Sequence, residues 1–167
     1  MEKDRLEQGA FETFASLYNA NAARGHLEFV SHRMPPYPDL ECTLDGRPLF
    51  VEVAHVFGTA IDARAVVRHG TRSEPSAFEK NADVVVANME ERIITPLNST
   101  IAEHCIKDYM GSPLWLLVRI GNPLYDLSEF NMYKHRLLAP AQHPFDEIWL
   151  MCGPFRESGA VQLWPTV

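Results

Sequence analysis

Two carboxylates, Asp39 and Glu52, lie on the two arms of a predicted hairpin. Alternation along the second arm places Glu52 in an otherwise apolar row that includes Phe50, Ala54 and Val56. A buried charge is costly without a partner, so a glutamate in that row needs a cation, a hydrogen-bonding partner or water. Two carboxylates that meet at a strand end can share Mg²⁺, which prefers oxygen ligands and keeps positions open for phosphate oxygens. One interpretation of the pair is therefore a Mg²⁺ site that acts on phosphodiesters.

A plainer interpretation of the same pair stays open. Asp39 follows Pro38 and could accept hydrogen bonds in a turn, as aspartate does at such positions. Glu52 could be an ordinary residue of an edge strand. Spacing alone favours this structural interpretation over the metal-binding one.

A third carboxylate, Glu7, comes from a predicted first helix over about residues 4–23. Its apolar face is formed by Leu6, Ala10, Phe11, Phe14, Leu17 and Tyr18. At 100° per residue Glu7 lies within the stripe of aromatic residues, whereas Glu12 points away. Glu7 either favours the positive end of the helix dipole and reaches solvent, or extends toward the other two carboxylates.

The elements that position these residues form an α/β pattern. Asp45-Gly46 is a strong hairpin signal, because both turn positions tolerate positive φ. PLWLLVRIG and DEIWLMCG are apolar runs of strand length, as expected for strands covered on both faces. The predicted order is a helix, three strands, helices, a strand, a helix and a strand, with AVQLWP as a further edge strand. Helices are predicted to begin at Ser76 and at Thr95-Pro96.

Composition limits the class of protein. The 167 residues are expected to form a single domain, 1–167, with no linker. The polar first residues, the lack of a membrane-length apolar run and the three separated cysteines predict a cytoplasmic protein with buried thiols and no membrane association. The net charge of −7 disfavours a strong non-specific nucleic-acid binder, since phosphate neutralisation supplies most of that affinity.

The order of elements, with Glu7 in the first helix, Pro38-Asp39 at the second strand and Glu52 in the third, resembles the PD-(D/E)xK nuclease superfamily. The resemblance covers about residues 4–153 as the core. It implies the restriction-endonuclease-like fold, a central mixed β-sheet flanked by α-helices. It further implies that Asp39 and Glu52 bind Mg²⁺, with Mn²⁺ as an alternative, and that Glu7 completes the catalytic site.

The chain departs from that pattern at the motif lysine, which helps to position the attacking water. Ala54 stands in its place and can neither orient water nor stabilise charge. Alternation sends the next residue, His55, to the opposite face of the strand. Some members of such families carry the lysine on the following helix, which makes Lys80 the fourth candidate catalytic residue.

Three function hypotheses follow. The first is a Mg²⁺-dependent nuclease that hydrolyses phosphodiester bonds of DNA or RNA. The second is a catalytically inactive domain of the same fold that binds nucleic acid or a protein partner, including a second copy of the chain. The third is a small α/β protein with structural carboxylates. Separately, Arg64, Arg68 and Arg72 form a basic ridge if their segment is helical, and this ridge is either a phosphate contact or, as the favoured alternative, a solvated face.

Overall fold

The fold is an α/β arrangement around one mixed, open sheet. The computed structural model describes residues 2–56, 93–121, 127–152 and 159–165. Within them the helices are α1 (Glu2–Asn19), α2 (Thr95–Cys105) and α3 (Leu127–Tyr133), with short 3-10 helices at Ala22–Arg24 and Lys134–Arg136. The strands are β1 (Leu27–His32), β2 (Leu40–Leu44), β3 (Arg47–Val56), β4 (Leu114–Ile120), β5 (Glu147–Cys152) and β6 (Gly159–Trp164).

The six described strands lie in the order in which they occur in the chain. Pairing is antiparallel between β1, β2 and β3, parallel from β3 through β4 to β5, and antiparallel between β5 and β6. The predicted three-strand meander and both apolar strands are confirmed, and β6 lies at the edge, as AVQLWP predicted. Strand β3 is internal, between β2 and β4. The interpretation of Glu52 as an edge-strand residue is therefore wrong.

The hairpin between β2 and β3 follows from its turn residues. Asp45 and Gly46 have φ of 51° and 76°, as the predicted tight turn requires. Leu44 then pairs with Arg47, and the register continues to Leu40 opposite Val51. Asp45 also accepts a hydrogen bond from the His26 N–H, with 2.8 Å between Oδ1 and N. The turn thus fixes which residues of β2 and β3 face each other.

The sheet has an apolar layer on each face. On one face α1 packs Phe11, Phe14 and Tyr18 against side chains that include Trp115 and Trp149. On the other face α2 contributes Leu97 and Ile101 to a cluster with Ala54, Val56 and the second set of β4 and β5 side chains. Burial on both faces explains why β4 and β5 read as continuous apolar runs.

Other predictions can be compared with the described residues. The three cysteines, Cys42, Cys105 and Cys152, are free and buried, as predicted. Leu6 was predicted on the buried face of α1 and is 46% exposed, so that assignment is wrong. The helix predicted from Ser76 through Ile93 falls, except for Ile93, on residues 57–92, outside the described part of the chain. No helix within the described ranges is long and apolar enough to cross a bilayer.

Candidate functional site

Asp39 lies immediately before strand β2. Its side chain accepts a hydrogen bond from the backbone of the longer neighbouring strand, β3. The pairing of β2 with β3 runs to Leu40 opposite Val51. Farther along β3, the Val53 N–H donates to Asp39 Oδ2 at 3.0 Å. Val53 is buried, and a buried N–H without a hydrogen-bonding partner costs free energy, so the Asp39 carboxylate stabilises this part of β3. The aspartate carboxylate is thereby fixed at the end of the sheet, with Oδ1 still directed to other groups.

Glu52 is 8% exposed and lies directly beside Asp39. The Asp39 N–H donates to Glu52 Oε2 at 3.3 Å, and Glu52 Oε1 is 3.2 Å from Nδ1 of His104 in α2. Glu52 shares its face of β3 with Ala54 and Val56, as alternation predicted. The two strands therefore bring both carboxylates of the predicted pair to one end of the sheet.

Glu7 approaches Asp39 from the α1 face and is 3% exposed. Burial raises the pKa of Glu7; a hydrogen bond from Lys3 opposes that shift, and the charge of Asp39 adds to it. Raised pKa values are expected where carboxylates cluster away from solvent. The structure thus brings Glu7, Asp39 and Glu52 together, with Asp39 between the other two.

Lys3 links two of these carboxylates and was not identified from the sequence. Its Nζ lies 2.8 Å from Glu7 Oε1 and 2.9 Å from Asp39 Oδ1, while 73% of its side chain remains exposed. Hydrogen bonds to Glu7 and Asp39 raise the pKa of Lys3 above its ordinary value. The i, i+4 spacing of Lys3 and Glu7 was a usable signal for the first contact, but nothing local indicated the second.

His104 and Tyr109 form the opposite side of the site and were also missed. The Tyr109 hydroxyl and His104 Nδ1 are 3.0 Å apart. Burial, followed by the charge of Glu52 and a hydrogen bond to it, raises the pKa of Tyr109, so the phenol stays protonated and can donate to that carboxylate. Lys107 Nζ lies 3.4 Å from His104 Nδ1. These groups hold Glu52 in one orientation.

A cavity of about 460 Å³ opens at this end of the sheet. Its lining combines two lysines, three carboxylates, two tyrosines and a proline pair: Lys3, Pro35, Pro36, Tyr37, Asp39, Glu52, Lys107, Asp108 and Tyr109. Glu7 is connected to it through Lys3. A second cavity of about 500 Å³, beside the 3-10 helix after α3, is lined by none of the candidate residues.

The donor chemistry of the pair suits a hard divalent cation. Asp39 and Glu52 supply carboxylate oxygens to one cavity, and Mg²⁺ is commonly held by one or two carboxylates together with water and substrate phosphates. Within the described ranges no group of three or more histidines, cysteines or acidic residues is arranged to hold a metal. Lys3 occupies Asp39 Oδ1 in this arrangement. The two carboxylates fit Mg²⁺ in kind, and a cation would compete with Lys3.

The lysine expected near the third strand is not supplied by β3. Ala54 is buried in the α2-side core, and His55 occupies the opposite face. Burial, reinforced by the charge of Arg119, lowers the pKa of His55 to about 4, so the imidazole is neutral at physiological pH. Lys80, Arg64, Arg68 and Arg72 lie outside the described residues.

Comparison of the chain with protein-family models, with curated proteins and with solved structures finds no match.

Proposed function

We propose that this chain is a Mg²⁺-dependent nuclease of the PD-(D/E)xK superfamily, with the restriction-endonuclease-like fold. The observation that carries the proposal is the cavity that Asp39 and Glu52 share with the ammonium groups of Lys3 and Lys107. Carboxylates bind the cation and ammonium groups attract phosphate, so both are needed by a site that cuts phosphodiesters. The order α1, β1, β2, β3 and then a parallel β4 supports the same assignment.

In this proposal Asp39 and Glu52 hold the Mg²⁺ ion. When bound, the ion lowers the pKa of its water and offsets charge on the scissile phosphate. The Val53 N–H orients Asp39, and the Asp39 N–H, His104 and Tyr109 orient Glu52. Preorganised groups of this kind reduce the reorganisation needed when charge develops. Lys3 lies beside Asp39 Oδ1, where its ammonium can contact a phosphate oxygen.

One observation favours the alternative of an inactive nuclease-like domain that binds nucleic acid or protein. Lys3 already forms ion pairs with Glu7 and Asp39, at 2.8 and 2.9 Å. Carboxylates that share an internal ammonium group depend less on a divalent cation for their stability. On this alternative the carboxylates are kept for structure, and Lys107 alone of the two cavity lysines is placed to meet a ligand.

The experiment compares cleavage of single- and double-stranded DNA and RNA in Mg²⁺, Mn²⁺ and chelator. Asp39→Asn and Glu52→Gln keep the shape of each side chain but remove a charged ligand, so each should reduce metal-dependent cleavage by about 10²-fold or more. Glu28→Gln changes an exposed carboxylate of the same sheet and is the matched control. It should leave cleavage unchanged.

Metal binding is measured on the same proteins by calorimetry. Cleavage that both site variants lose supports the nuclease. Metal binding without cleavage supports the inactive alternative, and an Ala54→Lys variant then tests whether an ammonium on β3 restores hydrolysis. If neither Mg²⁺ nor Mn²⁺ binds, the acidic pair is structural and the nuclease proposal is overturned.

A further inference from the structure

The second cavity, of about 500 Å³, differs in its chemistry from the carboxylate cavity. Residues of α3, of the 3-10 helix and loop that follow it, and of β6 line this cavity. The described lining combines three polar side chains with three apolar ones: Asn131, Lys134, His135, Leu137, Ala139 and Leu163. No carboxylate is found in that described lining, although the chain as a whole carries a net charge of −7. A volume of this size is typical of sites that hold small organic molecules.

The polar side chains of this lining are available to a ligand. Within the described part of the chain, the side chains of Asn131, Lys134 and His135 form no hydrogen bond and no ion pair. An ammonium group, an imidazole N–H and an amide NH₂ are all hydrogen-bond donors. Lys3 in the carboxylate cavity differs, because its ammonium group is already paired with two carboxylates. The second cavity therefore presents unpaired donors, which suit an anionic group.

The wall that carries these donors is attached to α2 by one side chain. Asn98 Nδ2 donates to the Arg136 carbonyl oxygen at 2.9 Å, and the Leu138 N–H donates to Asn98 Oδ1 at 2.9 Å. The Asn98 amide thus fixes the backbone on both sides of Leu137, which lines the cavity. A wall that is ordered before binding loses less conformational entropy when a ligand arrives.

The apolar part of the lining belongs to the core on the α2 side of the sheet. Leu137, Ala139 and Leu163 are partly buried and pack against that core. A neutral apolar ligand would leave the Lys134 ammonium group without a counter-charge, and a small inorganic anion would leave the two leucines in water. A ligand with both an anionic group and a hydrocarbon body matches the whole lining.

We propose that the second cavity binds a small amphipathic anion. Its carboxylate or phosphate group accepts hydrogen bonds from Asn131, Lys134 and His135, and its hydrocarbon body covers Leu137 and Leu163. Carboxylates and phosphate monoesters share the chemistry that these donors recognise. The inference goes beyond the proposed function and does not depend on it, because the two cavities have no described lining residue in common.

The test measures the binding of alkyl probes to the full chain by calorimetry, in chelator and below the concentration at which the probes form micelles. Octanoate and octyl phosphate carry the anionic group, whereas octan-1-ol and octylammonium have the same hydrocarbon body without it. At least one anionic probe should bind saturably and about tenfold or more tightly than the other two. The tighter of the two anions identifies the head group. Its butyl homologue should bind more weakly, because fewer CH₂ groups are buried.

Variants of the chain locate the binding. Lys134→Met removes the charge and keeps an apolar side chain, so it should weaken binding of the anion by about tenfold or more, whereas Lys134→Arg should retain most of the affinity. Asn98→Ala should weaken binding by a smaller factor, because the wall loses its attachment to α2. Arg47→Met removes an exposed cation of β3 outside the lining and is the matched control. Thermal unfolding verifies that each variant is folded.

The absence of saturable binding by both anionic probes would overturn the inference. Equal affinity for octan-1-ol, or equal affinity of Lys134→Met and the wild type, would do the same. Equal affinity of the butyl and octyl probes would show an ion pair on an exposed lysine only, and would also overturn it. These outcomes are separate from metal binding and cleavage, which test the carboxylate cavity.

Discussion

Lys3 Nζ lies 2.9 Å from Asp39 Oδ1, so the first turn of α1 delivers an ammonium group to the end of the central sheet. The same nitrogen contacts Glu7, one helical turn farther along. Lys3 thus supplies a cation on the Asp39 side of the site, whereas Ala54 lies in the core on the α2 side of the sheet. The contact also sets a competition, because Lys3 and a divalent cation would both be attracted to Asp39.

Lys3→Met should therefore separate metal binding from hydrolysis. Removing the ammonium leaves more negative charge on the carboxylates, so Mn²⁺ should bind roughly tenfold more tightly, a modest effect because Lys3 is largely exposed. Cleavage should fall by about 10²-fold through kcat, and Lys3→Arg should restore part of it. Mn²⁺ titrations and steady-state kinetics measure the two effects. A lower melting temperature with unchanged kcat in the folded variant would instead show a purely structural lysine.

Glu7→Gln should stabilise the protein in chelator at neutral pH. The pKa of Glu7 is raised by burial, so its contribution to stability is present below the ordinary value of about 4.5 and is lost as pH rises through the raised pKa. The neutral amide avoids that loss. Urea unfolding should show that the free energy of unfolding of Glu7→Gln increases relative to that of the wild type as pH rises from 4 to 8. Glu12→Gln, on the exposed side of α1, should show no such trend.

His55 should destabilise the protein as the solution becomes acidic. Its pKa falls from 6.5 unfolded to about 4 folded, chiefly because of burial, so only the unfolded state gains a proton between these values. Stability should decrease by about 1–3 kcal/mol as pH falls through that window. In His55→Gln the dependence of stability on pH should be weaker. The part that remains is due to His143, whose pKa is also lowered by burial. The exposed His26→Gln is the control; an unchanged slope in His55→Gln would contradict the assignment.

Alanine substitutions at two glycines should change the free energy of unfolding in opposite directions. Gly111 has φ of 114°, and a Cβ there would lie 2.7 Å from the Phe50 ring, on which Tyr37 stacks. Gly111→Ala should lower the free energy of unfolding by about 1–3 kcal/mol. Gly9 lies within α1, where a Cβ meets no atom within 4 Å, so Gly9→Ala should stabilise by about 0.5–1 kcal/mol. Thermal unfolding compares the pair, and a stabilised Gly111→Ala would disprove the predicted clash.

Signals from residues close together in the sequence were sufficient to predict the hairpin, the two buried strands and the packed side of α1. The Asp45-Gly46 turn fixed the hairpin because its φ values are intrinsic to those residues. The apolar runs of β4 and β5 indicated burial on both faces, and helical periodicity placed Glu7 on the packed side of α1. These features depend on neighbours in sequence, and one chain is enough to predict them.

The rest depends on contacts between distant segments. The internal position of β3 results from its parallel pairing with β4, whose connection carries no local signal of strand order. Lys3, His104 and Tyr109 reach the carboxylates only after α1 and α2 have packed on opposite faces of the sheet. Leu6 remains exposed although it lies within the apolar periodicity, because packing rather than periodicity decides which end of a stripe is covered.

The hydrogen bond from the Val53 amide to Asp39 makes that amide a reporter of the site. Because β2 ends before it could pair with Val53, an ionisable side chain is the acceptor for this amide. In a ¹H–¹⁵N spectrum the Val53 resonance would respond directly to displacement of Lys3 from Asp39 and to an arriving cation. The amides of Leu116 and Leu117 in β4, which lie within the regular parallel ladder, provide an internal reference. The chemical shift of the Val53 amide would thus report on the surroundings of the Asp39 carboxylate, because β2 ends before it reaches Val53.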